Sequence, residues 1–317
     1  MSTSPPILPD PAGVSQAVRA LDQGELVGLP TETVYGLAAD ARNPAAVAKI
    51  YAAKGRPAFN PLIAHLSARE DAQQEGKLDD RARALAEAWW PGPLTLVVPV
   101  GPAGRTCELA RAGLDTIGLR IPAHPLARAL LKSYGAPLVA PSANPSGQLS
   151  PTRAQDVAAA FGPEVALVLD GGPCEAGIES SIVSLLPDEP PRLLRPGAIS
   201  REQLEEIVGP LESAEKGVIS APGQLGSHYA PKAAVRLNAE AATADEVLLG
   251  FGANAPVAVA NLSPTGSTVE AAANLYRLLR ELDACGAQTI AVMPIPDTGL
   301  GEAINDRLRR AAAPRSQ

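Results

Sequence analysis

Short apolar runs alternate along the chain with stretches in which apolar residues recur every three or four positions. The first pattern predicts strands and the second helices. Strands are expected at residues 25–29, 61–67, 95–100, 116–121, 137–140, 165–169 and 181–186. Among the helices, one starts at Asn43 as N-cap with Pro44 in the first position, carries Val47, Ile50 and Tyr51, and runs to Lys54 before stopping at Gly55. Ser200 with Gln203 predicts a capping box for another that ends near Gly209. Periodicity then lapses to about residue 232 in a segment rich in Gly, Pro and Ser, which has the composition of a linker. Beyond it, strands are expected at 246–251, 256–262 and 289–295, and Ser267 with Glu270 caps a helix bearing Leu275, Leu278, Leu279 and Leu282. Such alternation predicts an α/β fold with substantial parallel or mixed sheet in two units: residues 1–208, a linker over 209–233, and a smaller unit over 234–317.

Composition supports globular units: 46% of residues are hydrophobic but only 3% aromatic, so Ala, Val, Leu and Ile must fill the cores, and 28 Gly with 32 Pro supply turns. No run of about 18 apolar residues occurs, so no membrane span is expected. The first residues lack a basic cluster followed by an apolar stretch, and a cytoplasmic location is expected. Cys107, Cys174 and Cys285 are odd in number and widely spaced, which predicts reduced thiols rather than a disulfide framework or zinc site. The net charge of -7 is shared, with 20 Lys/Arg against 25 Asp/Glu before residue 234 and 7 against 9 after it. No stable nucleic-acid binding is expected of either unit. An anionic ligand must meet a local cluster of cations.

Four segments could form a site. In residues 29–36, Leu-Pro-Thr-Glu-Thr-Val-Tyr-Gly, a strand ends in hydroxyls and one carboxylate, suited to a small polar ligand or to a capped turn. Lys54-Gly-Arg-Pro57 sets a point charge and a bidentate fork about a bend, as a polyphosphate needs. Cations at a helix C-terminus also stabilise the dipole by about 0.3–1 kcal/mol, so the cluster has two readings. Asn60 follows, then His65, whose apolar neighbours suit a satisfied core histidine. Arg120 interrupts the apolar strand at 116–121, where burial of its charge requires either an ion pair or an anionic ligand. Residues 140–147, Ala-Pro-Ser-Ala-Asn-Pro-Ser-Gly, and then Ser150 present hydroxyls and amides to a nucleotide, or simply form Asx and Ser turns. Gly177-Ile-Glu-Ser-Ser181, Leu193-Leu-Arg-Pro-Gly197 and Ser227-His-Tyr-Ala-Pro231 add another carboxylate, a lone arginine and an aromatic pair within the linker. Residues 250–255 fit a relaxed Gly-x-Gly-x-x-Ala pattern, but Pro256 and a strand-like run follow where a dinucleotide fingerprint needs a helix.

Taken in order, these segments resemble the YrdC-type threonylcarbamoyl-AMP synthases, in the longer form with a C-terminal extension domain. The resemblance spans nearly the whole chain after about residue 10 and includes Asn60-Pro-Leu-Ile63 and Trp90-Pro-Gly-Pro-Leu-Thr-Leu96. Departures fall at Ala38, at Ala58 and Phe59, and at residues 223–227 of the linker. The resemblance implies a twisted mixed sheet with helices around a deep cleft, the linker crossing its mouth, and a small Rossmann-like C-terminal domain. It places Thr33, His65, Arg120, the backbone of Ala140, and Ser181 around L-threonine. It places Lys54, Arg56, Asn60, Thr116, Ser142, Asn144, Ser150, Arg195 and Tyr229 around ATP, with Lys54 and Arg56 as the catalytic pair and Mg²⁺ accompanying the nucleotide. Bicarbonate is the third substrate implied, and a tRNA-modifying transferase would receive the product. Two other readings stand beside it: an RNA-binding module, disfavoured by the acidic balance, and a carbamoyl-transfer maturation factor, whose cysteine-rich segments are absent here.

Overall fold

Apolar runs settle into strands whose alternate residues serve different cores. In the computed structural model, which describes residues 4–8, 11–214, 221–223, 228–253, 255 and 258–314, most of the strands join one mixed sheet. They are β1 (Ile7–Leu8), β2 (Val27–Leu29), β3 (Gly36–Asp40), β4 (Ile63–His65), β5 (Leu94–Pro99), β6 (Thr116–Arg120), β7 (Leu138–Val139), β8 (Leu167–Leu169), β9 (Ser181–Ser184), β10 (Arg192–Arg195) and β11 (Glu212–Ser213). Their spatial order is β1-β8-β2-β3-β7-β4-β6-β5-β9-β10-β11. Pairing is parallel between β4 and β6 and antiparallel between β4 and β7.

Helices α1 (Pro11–Asp22), α2 (Pro44–Lys54), α3 (Arg69–Glu75), α4 (Asp80–Trp89), α5 (Pro125–Tyr134), α6 (Ala154–Phe161) and α7 (Arg201–Val208) cover this sheet. On β3, Ala38 packs with Leu21 and Leu130 of α1 and α5, whereas Leu37 and Ala39 pack with Ile50 and Phe161 of α2 and α6. A third cluster joins Leu85 of α4 and Leu204 of α7 to Leu96 and Leu119. Full burial of each leucine, isoleucine or phenylalanine among these stabilises the fold by about 1.5–3 kcal/mol.

Cap chemistry accounts for the helix ends. The Asn43 side chain accepts from the Ala45 and Ala46 amides, and Gly55 closes α2 in the left-handed region at φ 59°. Ser200 and Gln203 cap α7 reciprocally. Strand β3 was not expected: Gly-Leu-Ala-Ala-Asp has little intrinsic strand preference, and long-range pairing with β2 and β7 makes it a strand.

The C-terminal unit contains β12 (Ala234–Arg236), β13 (Glu246–Gly250), β14 (Ala260–Asn261) and β15 (Thr289–Val292), all parallel in the order β12-β15-β13-β14, with α8 (Thr268–Ala284) and α9 (Gly301–Ala312). Ser267 caps α8 as expected. The Glu270 carboxylate, however, accepts from the hydroxyls of Ser263 and Thr265 instead of turning back to the cap amide. Of the run expected at 256–262, Ala260 and Asn261 form β14, while residues 256 and 257 lie outside the described residues, as does Asn254 of the rejected dinucleotide pattern. No helix follows β13 before β14 among the described residues.

The two units share a core. Leu249, Leu275, Leu279, Ile290 and Ile304 pack in one cluster with Val34, Leu149 and Ile178 of the first unit. At this seam Gly177 has φ +68°, and a Cβ there would lie 2.6 Å from the backbone of Ala272 and Ala273 in α8. Only glycine satisfies both conditions. Among the described residues, no helix is long and apolar enough to cross a membrane.

Candidate active site

The pairing of β4 with β6 sets His65 level with Arg120 at the C-terminal ends of two parallel strands. The same register puts Thr116 at the opposite end of β6, towards Pro61. Four residue steps separate Thr116 from Arg120, or about 13 Å of strand. A cleft opens along this part of the sheet and encloses about 530 Å³ including its mouth. Thr31, Thr33, Arg56, His65, Arg120, Ala140, Ser142, Glu179, Ser180, Arg195, His228 and Tyr229 contribute to its wall. Pro222 and Gly223 also line it, so described parts of the linker reach the cleft, while residues 215–220 and 224–227 lie outside the described residues.

At one end Arg120 donates from Nη2 to Glu32 Oε1 at 2.7 Å and to Thr33 Oγ1 at 2.9 Å. The arginine therefore has its ion pair, yet its buried Nε has no partner. Burial alone would raise the Glu32 pKa, but the charge and hydrogen bond of Arg120 outweigh it and the carboxyl is held below its ordinary value. Thr31 donates its hydroxyl proton to the Val34 carbonyl at 2.6 Å. The 2.8 Å contact between the two threonine hydroxyls is thus a donation from Thr33 to Thr31. Having donated there and accepted from Arg120, Thr33 keeps one lone pair for a ligand donor. Ser181 is similarly committed, donating to the Ile199 carbonyl at 2.6 Å and accepting from its amide at 3.0 Å. His65 is both a core histidine and part of the cleft wall. Its Nδ1 contacts the Ile63 carbonyl, and burial, aided by the charge of Arg120, lowers its pKa to about 3, so the ring is neutral.

The other end is cationic. Lys54 donates to the carbonyls of Ser142 and Asn144. Arg56 is held by the Asn60 side chain at 2.6 Å and by the Asn60 and Pro61 carbonyls. Arg195 donates from Nε and Nη2 to the Ser180 carbonyl. All three are buried, and among the described residues none has a carboxylate within ion-pair distance. Burial lowers the pKa of each, well below the usual lysine value for Lys54 and to about 10 for Arg56. Buried cations held by neutral carbonyls gain from an incoming anion. Two buried amide atoms nearby, Asn60 Nδ2 and Asn144 Oδ1, also lack partners.

Of the residues expected around ligands, Thr33, Arg56, His65, Arg120, Ala140, Ser142, Arg195 and Tyr229 line the cleft. Lys54, Asn60, Thr116, Asn144, Ser150 and Ser181 are not part of that wall; Lys54 nonetheless holds the loop that bears Ser142, and Ser150 donates to Glu179 at 2.5 Å. Sequence reasoning gave no role to Glu32 or Glu179, although both stand within segments it singled out. It also missed Tyr276 and Arg307, which reach Glu179 from α8 and α9. The described residues contain no group of three or more His, Cys, Asp and Glu side chains able to hold a metal ion. All three cysteines are free, and burial raises the Cys174 thiol to about 12.

A sequence model of the Sua5/YciO/YrdC family, described as Telomere recombination, matches residues 19–197. A second, for the threonylcarbamoyl-AMP synthase C-terminal domain, matches residues 199–313. The threonylcarbamoyl-AMP synthase of Bacillus subtilis is 38% identical over 329 aligned positions that cover 95% of this chain and 93% of the relative. A shorter relative from Halorhodospira halophila, of the same name, is 39% identical over 164 positions, which cover 51% of this chain and 84% of its own. The crystal structure of Pyrococcus abyssi Sua5 complexed with L-threonine superposes with a TM-score of 0.87 at 34% identity, covering 97% of both chains. The overall fold is thus shared with that structure along almost the full length. The chain belongs to the Sua5/YciO/YrdC family, in the longer form that carries the threonylcarbamoyl-AMP synthase C-terminal domain.

Proposed function

We propose that this protein is an L-threonylcarbamoyladenylate synthase, a nucleotidyltransferase that makes threonylcarbamoyl-AMP and pyrophosphate from L-threonine, bicarbonate or CO₂, and ATP. The observation that carries this reading is the set of three buried cations, Lys54, Arg56 and Arg195, held by carbonyl and amide oxygens with no carboxylate at ion-pair distance among the described residues. A triphosphate is the natural counter-charge for such a set. We read the catalytic unit as residues 1–208 and the segment 209–233 as its connection, in the cytoplasm, to the C-terminal unit at 234–317.

In this scheme the threonine amine adds to CO₂ and loses a proton, giving a carbamate. One carbamate oxygen then attacks the α-phosphorus of ATP, and the bond to the β-phosphate bridging oxygen breaks to release pyrophosphate. The nucleophile is already anionic, so the chain need supply no strong base. Its contribution is alignment and neutralisation of charge. Lys54 and Arg56 act on the triphosphate, with Arg195 beside them. Asn60, Thr116, Ser142, Asn144, Ser150 and Tyr229 complete the nucleotide side. Arg120 takes the threonine carboxylate, oriented by its pair with Glu32. Thr33 and Ser181 each keep an accepting lone pair, which suits the hydroxyl and amine donors of threonine. His65 and the Ala140 backbone close the amino-acid end.

No group of three or more His, Cys, Asp and Glu side chains among the described residues could hold a metal ion on its own, so Mg²⁺ would enter together with the triphosphate, a ligand of the oxygen-rich kind it prefers. When bound it shares in neutralising phosphate charge. The product passes to a tRNA-modifying transferase for N6-threonylcarbamoyladenosine formation. Pyrophosphate release from ATP, measured with threonine and bicarbonate each present or omitted, tests the proposal. Release must depend on both; release that ignores either one rules the scheme out.

A further inference from the structure

Glu179 belongs to the cleft wall, yet most of what holds it comes from the far unit. Its carboxylate accepts from the Tyr276 hydroxyl at 3.0 Å to each oxygen, from Arg307 Nε at 2.8 Å and from the Ser150 hydroxyl at 2.5 Å. Glu179 is 4% exposed and Arg307 1%. The Arg307 guanidinium also pairs with Asp306 at 2.7 Å and lies 5.0 Å above the ring of Tyr229, another residue of the wall. Burial would raise the Glu179 pKa, but the charges of Arg307 and Arg195 and the hydrogen bonds hold it at about 2. The carboxylate is therefore charged, and Arg195 stands beside it in the wall, bonded at 2.9 Å to the carbonyl of the next residue, Ser180; the charge of Glu179 favours the protonated forms of both Arg195 and Lys54 against burial. No ion pair joins it to either of them among the described residues.

A buried carboxylate released from its tether would move onto the nearest uncompensated cation, because an ion pair in a weakly polar site is favoured over two separated charges. We infer that Arg307 and Tyr276 are positioning residues of the cleft, which tether the Glu179 carboxylate away from Lys54 and Arg195 and so leave those cations free for the triphosphate. This rests on the proposed assignment of the cleft to ATP. The C-terminal unit thus helps to complete the site, although no described residue beyond Tyr229 lines the cleft.

The test is ATP binding by the full-length chain, measured by titration calorimetry without threonine. Arg307→Met should weaken binding by roughly 10- to 100-fold, as Glu179 competes for the cations. Adding Glu179→Gln to the same chain should return affinity to within about threefold of wild type, since the amide has no charge with which to compete. A double variant that binds no better than Arg307→Met, or an Arg307→Met chain that binds like wild type, overturns the inference. If Arg307→Met fails to fold, Tyr276→Phe removes one donor with almost no change in volume and should weaken ATP binding by about threefold. Unchanged affinity in that variant also overturns it. Absence of ATP binding by the wild-type chain would remove the assignment of the cleft itself, a result distinct from failure of the tether.

Discussion

Replacement of Lys54 by methionine separates charge from packing. Lys54 is 3% exposed and, among the described residues, its ammonium is held by two carbonyls, while burial, and next the charge of Arg56, disfavour its protonated form. Methionine keeps the length of the stem and removes the charge. Two carbonyls lose a donor, at about 1–3 kcal/mol each. Against this, the several kcal/mol required to bury the ammonium is relieved. The two effects nearly offset, so stability should change by less than about 2 kcal/mol, and the melting temperature by less than about 8 °C. Binding has no such compensation. A phosphate charge about 4 Å from an ammonium, at an effective dielectric constant near 20, interacts by about 4 kcal/mol. If roughly half survives desolvation of the phosphate, Lys54→Met weakens ATP binding by about 30-fold. Calorimetric titration with ATP and thermal unfolding of the same sample give the two numbers independently. ATP affinity within threefold of wild type would refute the reasoning. So would a fall in melting temperature beyond about 15 °C, because Lys54 would then be a strut for the Ser142–Asn144 turn.

Arg56→Ala should slow pyrophosphate release on the order of 10²-fold with the fold intact, the usual effect of removing one well-placed donor of positive charge, and steady-state kinetics beside circular dichroism would check it. Serine should be a poor but detectable substrate, about 10- to 200-fold below threonine, because only one methyl group separates them, whereas valine keeps the amine but lacks the hydroxyl, leaves one of the two buried acceptors without its donor and should fall roughly 10⁴-fold below; valine outperforming serine in pyrophosphate release would show that shape alone is recognised. Burial moves His65 and His228 from 6.5 to about 3, so only the unfolded chain takes up these protons just below pH 6.5. Their stabilising effect is present above pH 6.5 and lost as pH falls towards 3, and Glu179 adds a loss from 4.5 to about 2. Melting temperature should therefore decline below about pH 6.5, with His228→Gln reducing the upper part of the slope; a level profile from pH 7 to 4 contradicts the assignment.

What could be read from the sequence was mostly local. Asn43, Pro44 and Gly55 bound α2 because caps and φ preferences act within a few residues. Strand β3 escaped notice because its identity lies in its partners β2 and β7. The motif segments disclosed most of the cleft, but Arg120 kept two readings until the fold brought Glu32 within 2.7 Å of it. Even then both hold in part, since the buried Nε remains unpartnered. Tyr276 and Arg307 carry no motif at all. Arg307 stands among charged residues in α9, and its one clue is helical spacing with Ala303, Ile304, Leu308 and Ala311 on the buried stripe. A charge on such a stripe announces a buried partner without naming it. Glu179 lies 128 residues earlier in the chain, beyond the reach of any periodicity.

Gly177 has a consequence for the architecture of related chains. With α8 pressed to 2.6 Å from where its Cβ would lie, even one methyl group at 177 would wedge the seam open and draw Tyr276 and Arg307 back from Glu179. A chain without the second unit meets no such wall, and the position is then governed by φ alone. Position 177 thus serves as a steric passport: a side chain there is compatible with a free-standing catalytic unit, but it denies the second unit this berth.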